Sequence, residues 1–94
     1  MSFYHVSIHH PKEGAEQALI DSMHRYGAAL KGAPGLISVH TLEDKNAGVL
    51  MGLAIWESQE AMRASIHLAR EAVGNDPFDE WESQDVEGYQ LSDV

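Results

Sequence analysis

The chain has no cysteine among its 94 residues, and it has few basic residues. The absence of cysteine excludes disulfide bonds, thiolate-bound zinc or iron–sulfur clusters, and a cysteine nucleophile. Six Lys and Arg stand against fifteen Asp and Glu, and residues 71–94 carry eight acids and no base. Because nucleic acids and anionic membrane surfaces are bound by basic faces, we expect neither of them as a partner.

Long hydrophobic runs and nucleotide-binding motifs are absent as well. No apolar stretch approaches the ~20 residues that a bilayer span requires. Residues 1–5 show neither the basic nor the apolar region of a signal peptide, so we expect a cytoplasmic protein. Without a glycine-rich phosphate loop or a dinucleotide fingerprint, we expect no cofactor. The length and a hydrophobic content of 44% indicate a single ordered domain over residues 1–94.

Hydrophobic periodicity predicts the secondary structure of most of the chain. Tyr4, Val6 and Ile8 alternate with polar residues as in a strand, whereas Leu19 and Met23 belong to a stripe of helical spacing. The predicted strands cover residues 3–10, 36–43, 48–56 and 85–92, and the predicted helices cover residues 14–31 and 58–73. Residues 75–94 form an acidic tail, in which we expect an extra turn at 78–82.

The order β-α-β-β-α-β predicts an α+β fold of the ferredoxin-like type. In this fold, two helices cover one face of a four-stranded antiparallel sheet, and the other face is left open. The third predicted strand, residues 48–56, is apolar on both of its faces, so the open face needs a cover. A second copy of the same sheet would provide one, and we therefore expect a homodimer through the open sheet face.

Two motifs resemble the antibiotic biosynthesis monooxygenase domain of the dimeric α+β barrel superfamily. Pro34-Gly35 precedes the second predicted strand, and a Trp-x-Ser-x-Glu-Ala segment, residues 56–61, joins the third strand to the second helix. The family has the same motifs at the same places, and the resemblance covers roughly residues 3–73. It implies a dimeric barrel and, among the activities of the family, cofactor-independent oxygenation of polycyclic phenols and quinols.

The haem-degrading branch of that family resembles this chain less closely. Ser7 stands where that branch has an Asn, and Ser65 stands where it has a second Trp. Gly74 falls near the place of its haem-ligating His, so that Trp56 alone matches. The resemblance therefore favours an oxygenase without haem.

Six histidines are an unusual number for this length, and three polar residues of the first strand share one face: His5, Ser7 and His9. We expect His40 to join them from the second strand, with the small residues of the third strand leaving space between them. A neutral imidazole can take the proton of a phenol or enol, so the hypothesis is a cavity with His5 and His40 as catalytic residues and Ser7 in contact with substrate. The alternative is that the apolar face of the first strand, and not this polar one, turns to the helices.

A shared metal site is not expected from the histidines. His5 and His9 are four residues apart on a strand, which separates them by roughly 13 Å. No pair of histidines has the spacing that places two ligands on one helix face.

Three further residues are candidates for substrate binding: Trp56, Arg63 and His67. Each has a simpler interpretation, which is core packing for Trp56 and a solvated helix face for Arg63 and His67. Two functions stay open for the whole chain. The first is a cofactor-independent monooxygenase of a small phenolic or quinol-like metabolite, and the second is a non-catalytic dimeric barrel that binds a small molecule or has a structural role.

Overall fold

The computed structural model describes residues 2–94. Its strands are β1 (Phe3–His9), β2 (Leu36–Asp44), β3 (Val49–Trp56) and β4 (Glu87–Ser92). Its helices are α1 (Glu16–Leu30), α2 (Gln59–Ala72) and the short α3 (Phe78–Trp81). The predicted order β-α-β-β-α-β is therefore confirmed, with α3 inserted in the acidic tail. None of the helices within residues 2–94 is long and apolar enough to cross a membrane.

The two long helices cover one face of the sheet with their apolar stripes. α1 buries Leu19, Met23 and Leu30, and α2 buries Met62 and Ile66 together with its smaller residues. The side chain of Ser58 accepts a hydrogen bond from the backbone N–H of Ala61 at 3.1 Å, so Ser58 is the N-cap of α2. The helix periodicity of the sequence thus identifies the faces that form the core.

The four strands form one antiparallel sheet in the order β2-β3-β1-β4. β1 and β3 are central, and their register places His5 opposite Ala54 and Ser7 opposite Gly52. Because Ala54 is buried beneath the helices, the polar side of β1 faces the helices as well. This register decides between the two orientations that the sequence leaves open.

The centre of the open face of the sheet is apolar. β1 contributes Tyr4, Val6 and Ile8 to it, and the residues of β3 on this face alternate with the buried ones. Towards the edges, Leu42 of β2 and Leu91 of β4 are 44% and 47% exposed. The face that lacks helices therefore has an apolar centre, and its polar residues, which include Ser38, His40 and Glu87, lie on the edge strands.

The acidic tail is an integral part of the domain. β4 pairs with β1 along the edge of the sheet, and α3 packs its two aromatic rings, Phe78 and Trp81, near the apolar cluster of Leu19 and Leu50. The two rings meet edge to face with centroids 5.8 Å apart. The tail also reaches the residues just after β1, where Glu82 forms an isolated bridge with Pro11.

Gly35 has a backbone conformation and a packing position that suit only glycine. Its φ is +84°, and a Cβ at this position would lie 2.5 Å from the Cβ of Ala61 on α2. Gly32 has nearly the same φ, +82°, but a Cβ there would meet nothing within 4 Å. Substitutions at these two positions therefore separate the cost of backbone strain from the cost of a steric conflict.

We expect Gly35→Ala to lower the free energy of unfolding by about 2–4 kcal/mol, because strain and overpacking add. The matched change Gly32→Ala should cost only the strain, about 1–2 kcal/mol. Urea denaturation followed by circular dichroism measures both. Equal losses in the two variants would show that α2 moves away from residue 35 without cost.

Candidate functional site

A cavity of about 310 Å³ lies between the sheet and the helices. The polar residues of β1 form one wall of the cavity. Gly52 and Ala54 of β3 form its floor, where their small size leaves space. Met23 and Tyr26 of α1 and Phe78 of α3 contribute to the other side. The cavity is therefore mostly apolar with a few polar groups on one strand, which is the usual form of a small-molecule site.

His5 borders this cavity as a neutral imidazole. Burial lowers the pKa of His5, and the positive charge of Arg70 on α2 lowers it further. Tyr26 is influenced by the same surroundings, since burial raises the pKa of its phenol while the Arg70 charge acts in the opposite direction. Both groups are therefore uncharged near neutral pH, and the cavity offers hydrogen-bonding groups without a fixed charge of their own.

His9 is held between a hydroxyl and a carboxylate. Its Nε2 lies 3.2 Å from Ser7 Oγ, and its Nδ1 lies 2.5 Å from Glu82 Oε2. The other oxygen of Glu82 accepts the backbone N–H of His10 at 2.7 Å. His9 and Glu82 are both 8% exposed, so this hydrogen-bonded chain is shielded from water.

A second cluster of hydrogen-bonded side chains links α1 to the segment that follows α2. Asp76 accepts a hydrogen bond from Ser22 Oγ at 2.6 Å and pairs with Arg25 Nη2 at 2.8 Å. The hydrogen bond from Arg25, followed by that from Ser22, lowers the pKa of Asp76. Because Ser22 also borders the cavity, this group holds the wall next to α3 in place.

Two of the sequence-predicted site residues, His5 and Ser7, lie side by side on the cavity wall. His40 contributes to the wall as well, but it pairs with Leu53, whereas its neighbours Val39 and Thr41 pair with the residues of the cavity floor. Strand alternation therefore directs its imidazole to the open face, where its Nε2 lies 3.0 Å from Ser38 Oγ. The structure does not bring the rings of His5 and His40 together.

The other three candidates lie away from the cavity wall. Trp56 is fully buried in the core, and its indole N–H has no hydrogen-bond partner among the described residues. Arg63 and His67 are exposed on α2, on the side that does not pack. Arg70, one turn further along the same helix, is the residue whose charge reaches the cavity.

Glu82 is the functional candidate that the sequence does not reveal. It is one of eight acids after residue 70, and no periodicity separates it from the others. The nearest signal is the pair of aromatic residues just before it, Phe78 and Trp81, which marks a segment attached to the core. Among residues 2–94, no cluster of three His, Asp or Glu side chains has the arrangement of a metal site.

Comparison with known proteins identifies the class to which this fold and cavity belong. Residues 1–73 match the sequence profile of the family described as antibiotic biosynthesis monooxygenase. The chain therefore belongs to the antibiotic biosynthesis monooxygenase family, and the match ends just before the acidic tail. A comparison with curated proteins found no match.

Several solved structures share the fold at low sequence identity. Rv0793 from Mycobacterium tuberculosis is 14% identical with a TM-score of 0.84, over 100% of this chain and 96% of that one. A conserved protein from Methanosarcina mazei is 13% identical with a TM-score of 0.82, over 97% and 91%. SnoaB from Streptomyces nogalater, a cofactor-independent oxygenase, is 12% identical with a TM-score of 0.73, over 98% and 92%. At these identities the likeness shows the fold alone.

The electrostatics of His5 can be tested directly. We expect His5 to titrate below the usual pKa of a histidine, and Arg70→Gln to raise its pKa, because the cation that disfavours the imidazolium is gone. The pKa in the variant stays below the usual value, since burial is the larger cause. NMR titration of the imidazole signals measures both, with Arg63→Gln as the matched control on the same helix. A wild-type His5 that titrates at or above the usual value would contradict the assignment.

Proposed function

We propose that this protein is a cofactor-independent monooxygenase of a small phenolic or quinol-like compound. The observation that carries the proposal is the cavity wall on β1, where His5, Ser7 and His9 face a mostly apolar space in a chain of this family. A volume of about 310 Å³ suits a small ligand with one or two aromatic rings. His5 is the proposed catalytic residue that contacts the reacting oxygen of the ligand.

The proposed reaction begins with a proton transfer. A phenolic hydroxyl loses its proton to an imidazole of the cavity, and the resulting anion is electron-rich enough to react with dioxygen. One oxygen atom enters the product as a quinone carbonyl, and the other leaves as water. Because oxidation of a phenol to a quinone supplies all the electrons that this reduction of dioxygen needs, no separate reductant takes part.

The charges around the cavity favour the anion in this reaction. A neutral His5 can donate one N–H to the phenolate oxygen, and the positive charge of Arg70 stabilises a negative charge placed near it. Burial strengthens both interactions compared with water. The similarity to SnoaB in fold agrees with chemistry of this class but does not identify the substrate.

We further propose that the protein works as a homodimer through the open face of the sheet. The helices cover the other face of the sheet, and on this one Leu42, Tyr89 and Leu91 remain 44%, 46% and 47% exposed. Met51 lies near the centre of this face, between Ile8 of β1 and Leu42 of β2. Two copies packed face to face would remove this surface from water on both sides.

The enzymatic proposal predicts oxygen consumption that depends on His5. In a panel of phenols and quinols, we expect wild type to consume oxygen with at least one compound. We expect His5→Ala to lower that rate about a hundredfold, because a group in contact with the reacting oxygen is lost. An oxygen electrode, with the quinone followed by absorbance, measures the rate.

Two histidine variants complete that experiment. His40→Ala should retain the rate because its ring lies on the opposite face of the sheet, and His24→Ala should retain it because His24 is exposed on α1. A rate that falls with His40→Ala but not with His5→Ala would reverse the assignment. If no compound is oxidised yet phenols bind in the cavity, the non-catalytic binding protein is the better interpretation.

The dimer proposal predicts that a charge on the open face separates the two copies. We expect wild type to have a mass of about twice 10.4 kDa in multi-angle light scattering at micromolar concentration, and Met51→Asp to have a mass near 10.4 kDa. Leu68→Asp is the matched control, since Leu68 is 41% exposed on α2. A wild-type mass of one chain would refute the dimer.

A further inference from the structure

We propose that His9 is the proton acceptor of the cavity, that it acts through Ser7, and that Glu82 is the residue that positions it. This inference rests on the proposed function only in placing a hydroxylated ligand in the cavity. It deepens that function by naming which of the two cavity imidazoles takes the proton, and by assigning a role to a residue of the acidic tail.

Glu82 determines which nitrogen of His9 carries the hydrogen. An ionised carboxylate only accepts hydrogen bonds, so we assign the shared hydrogen to the Nδ1 atom, which lies 2.5 Å from Glu82 Oε2. In the neutral ring, Nε2 is then the acceptor, and it is this nitrogen that points to Ser7 Oγ at 3.2 Å. The free lone pair of His9 is thus directed to the cavity side and not to the tail.

Ser7 connects that lone pair to the cavity. Its hydroxyl donates to His9 Nε2, and its oxygen retains lone pairs that can accept a hydrogen bond from a ligand hydroxyl. The space for the ligand exists because the residue opposite Ser7 is Gly52, where even a Cβ would lie 2.7 Å from Ser7 Oγ. A side chain on β3 at this point would displace the hydroxyl.

The position of Glu82 is fixed by the backbone on both sides. Its second oxygen accepts the N–H of His10 at 2.7 Å, and the N–H of Ser83 donates to the carbonyl of His10 at 2.7 Å. One residue earlier, the carbonyl of Trp81 accepts the N–H of Lys12 at 2.7 Å. The segment around Glu82 is therefore held against the end of β1 by three short hydrogen bonds that do not involve the histidine ring, and the carboxylate itself accepts one of them.

The proposed step is a proton transfer that is balanced without any oxidant. The ligand O–H bond breaks as its proton passes to Ser7 Oγ, and the original Ser7 O–H bond breaks as that proton passes to His9 Nε2. The products are the ligand anion and the His9 imidazolium, which lies against the Glu82 carboxylate. His5 then donates its N–H to the anion, so the two histidines have different roles.

The test measures ionisation of a bound phenol without oxygen. We use 4-nitrophenol, whose anion absorbs at longer wavelength than the neutral form, at a pH where the free compound is neutral and under anaerobic conditions. Wild type should bind part of the probe as the phenolate. Ser7→Ala and Glu82→Gln should each lower the ratio of phenolate to phenol in the bound state by about tenfold or more. Ser7→Ala removes the hydroxyl that donates to the bound anion after the transfer, and Glu82→Gln removes the charge opposite the imidazolium.

Matched variants show whether the loss is specific to the relay. Ser65→Ala removes another buried serine hydroxyl on α2, and Glu80→Gln neutralises an exposed acid two residues from Glu82. Both should leave the ratio unchanged. Thermal unfolding of every variant shows whether the domain remains folded under the conditions of the binding experiment.

A second measurement tests the role of Glu82 without any ligand. The nitrogen chemical shifts of His9 should show a hydrogen on Nδ1 and none on Nε2 in the neutral ring of wild type. In Glu82→Ala the hydrogen should redistribute toward Nε2, because its acceptor is gone. A merely structural contribution of Glu82 would change the melting temperature but not this signature.

The outcomes separate this inference from the proposed function. If His5→Ala abolishes phenolate formation while Ser7→Ala and Glu82→Gln retain it, His5 is the acceptor and the relay is overturned. A wild-type His9 with its hydrogen on Nε2, or no phenolate on any bound phenol, overturns it too. If phenolate forms through the relay but no compound consumes oxygen, the relay stands and the oxygenase function fails.

Discussion

The antiparallel register between β1 and β3 is the constraint on which the rest of the structure depends. It places Ser7 opposite Gly52 and His5 opposite Ala54, so polar residues of one central strand lie beside the smallest side chains of the other. A shift of one residue would turn the imidazoles to the open face and bring Tyr4 and Ile8 beneath the helices. The cavity, its polar wall and the apolar open face are thus three consequences of one pairing.

The acidic tail completes the domain, because the part of the chain that matches the family lacks the fourth strand. Residues 1–73 match the family and contain both central strands and both long helices, but β1 acquires its second neighbour only from β4. The tail also supplies Glu82, the carboxylate that the buried His9 needs. The acidic segment of residues 71–94 is consequently not a solvated appendage, since one of its acids lies in the interior.

The sequence predicts the fold well because the helix stripes and the strand alternation are strong signals of burial. Leu19, Met23 and Ile66 are buried as their periodicity indicates, and the capping by Ser58 is local chemistry. The site is harder to predict. Alternation groups His5 with Ser7 and His9, but strand pairing alone decides that His40 lies on the other face. Glu82 reaches His9 across 73 positions of sequence, and no local pattern can indicate a contact of that separation.

The groups that border the cavity are uncharged, whereas two charged residues, Glu82 and Arg70, lie close to it. Moving a proton from a ligand hydroxyl to His9 creates one positive and one negative charge in a site shielded from water, where separating charge is costly. The Glu82 carboxylate lies against the ring that becomes the imidazolium, and the positive charge of Arg70 acts on His5 and Tyr26 at the cavity. Because Glu82 is buried and Arg70 is exposed, solvent screens the Arg70 charge more strongly than the Glu82 charge. In the proposed proton transfer, the tail therefore supplies the charge that solvent screens least.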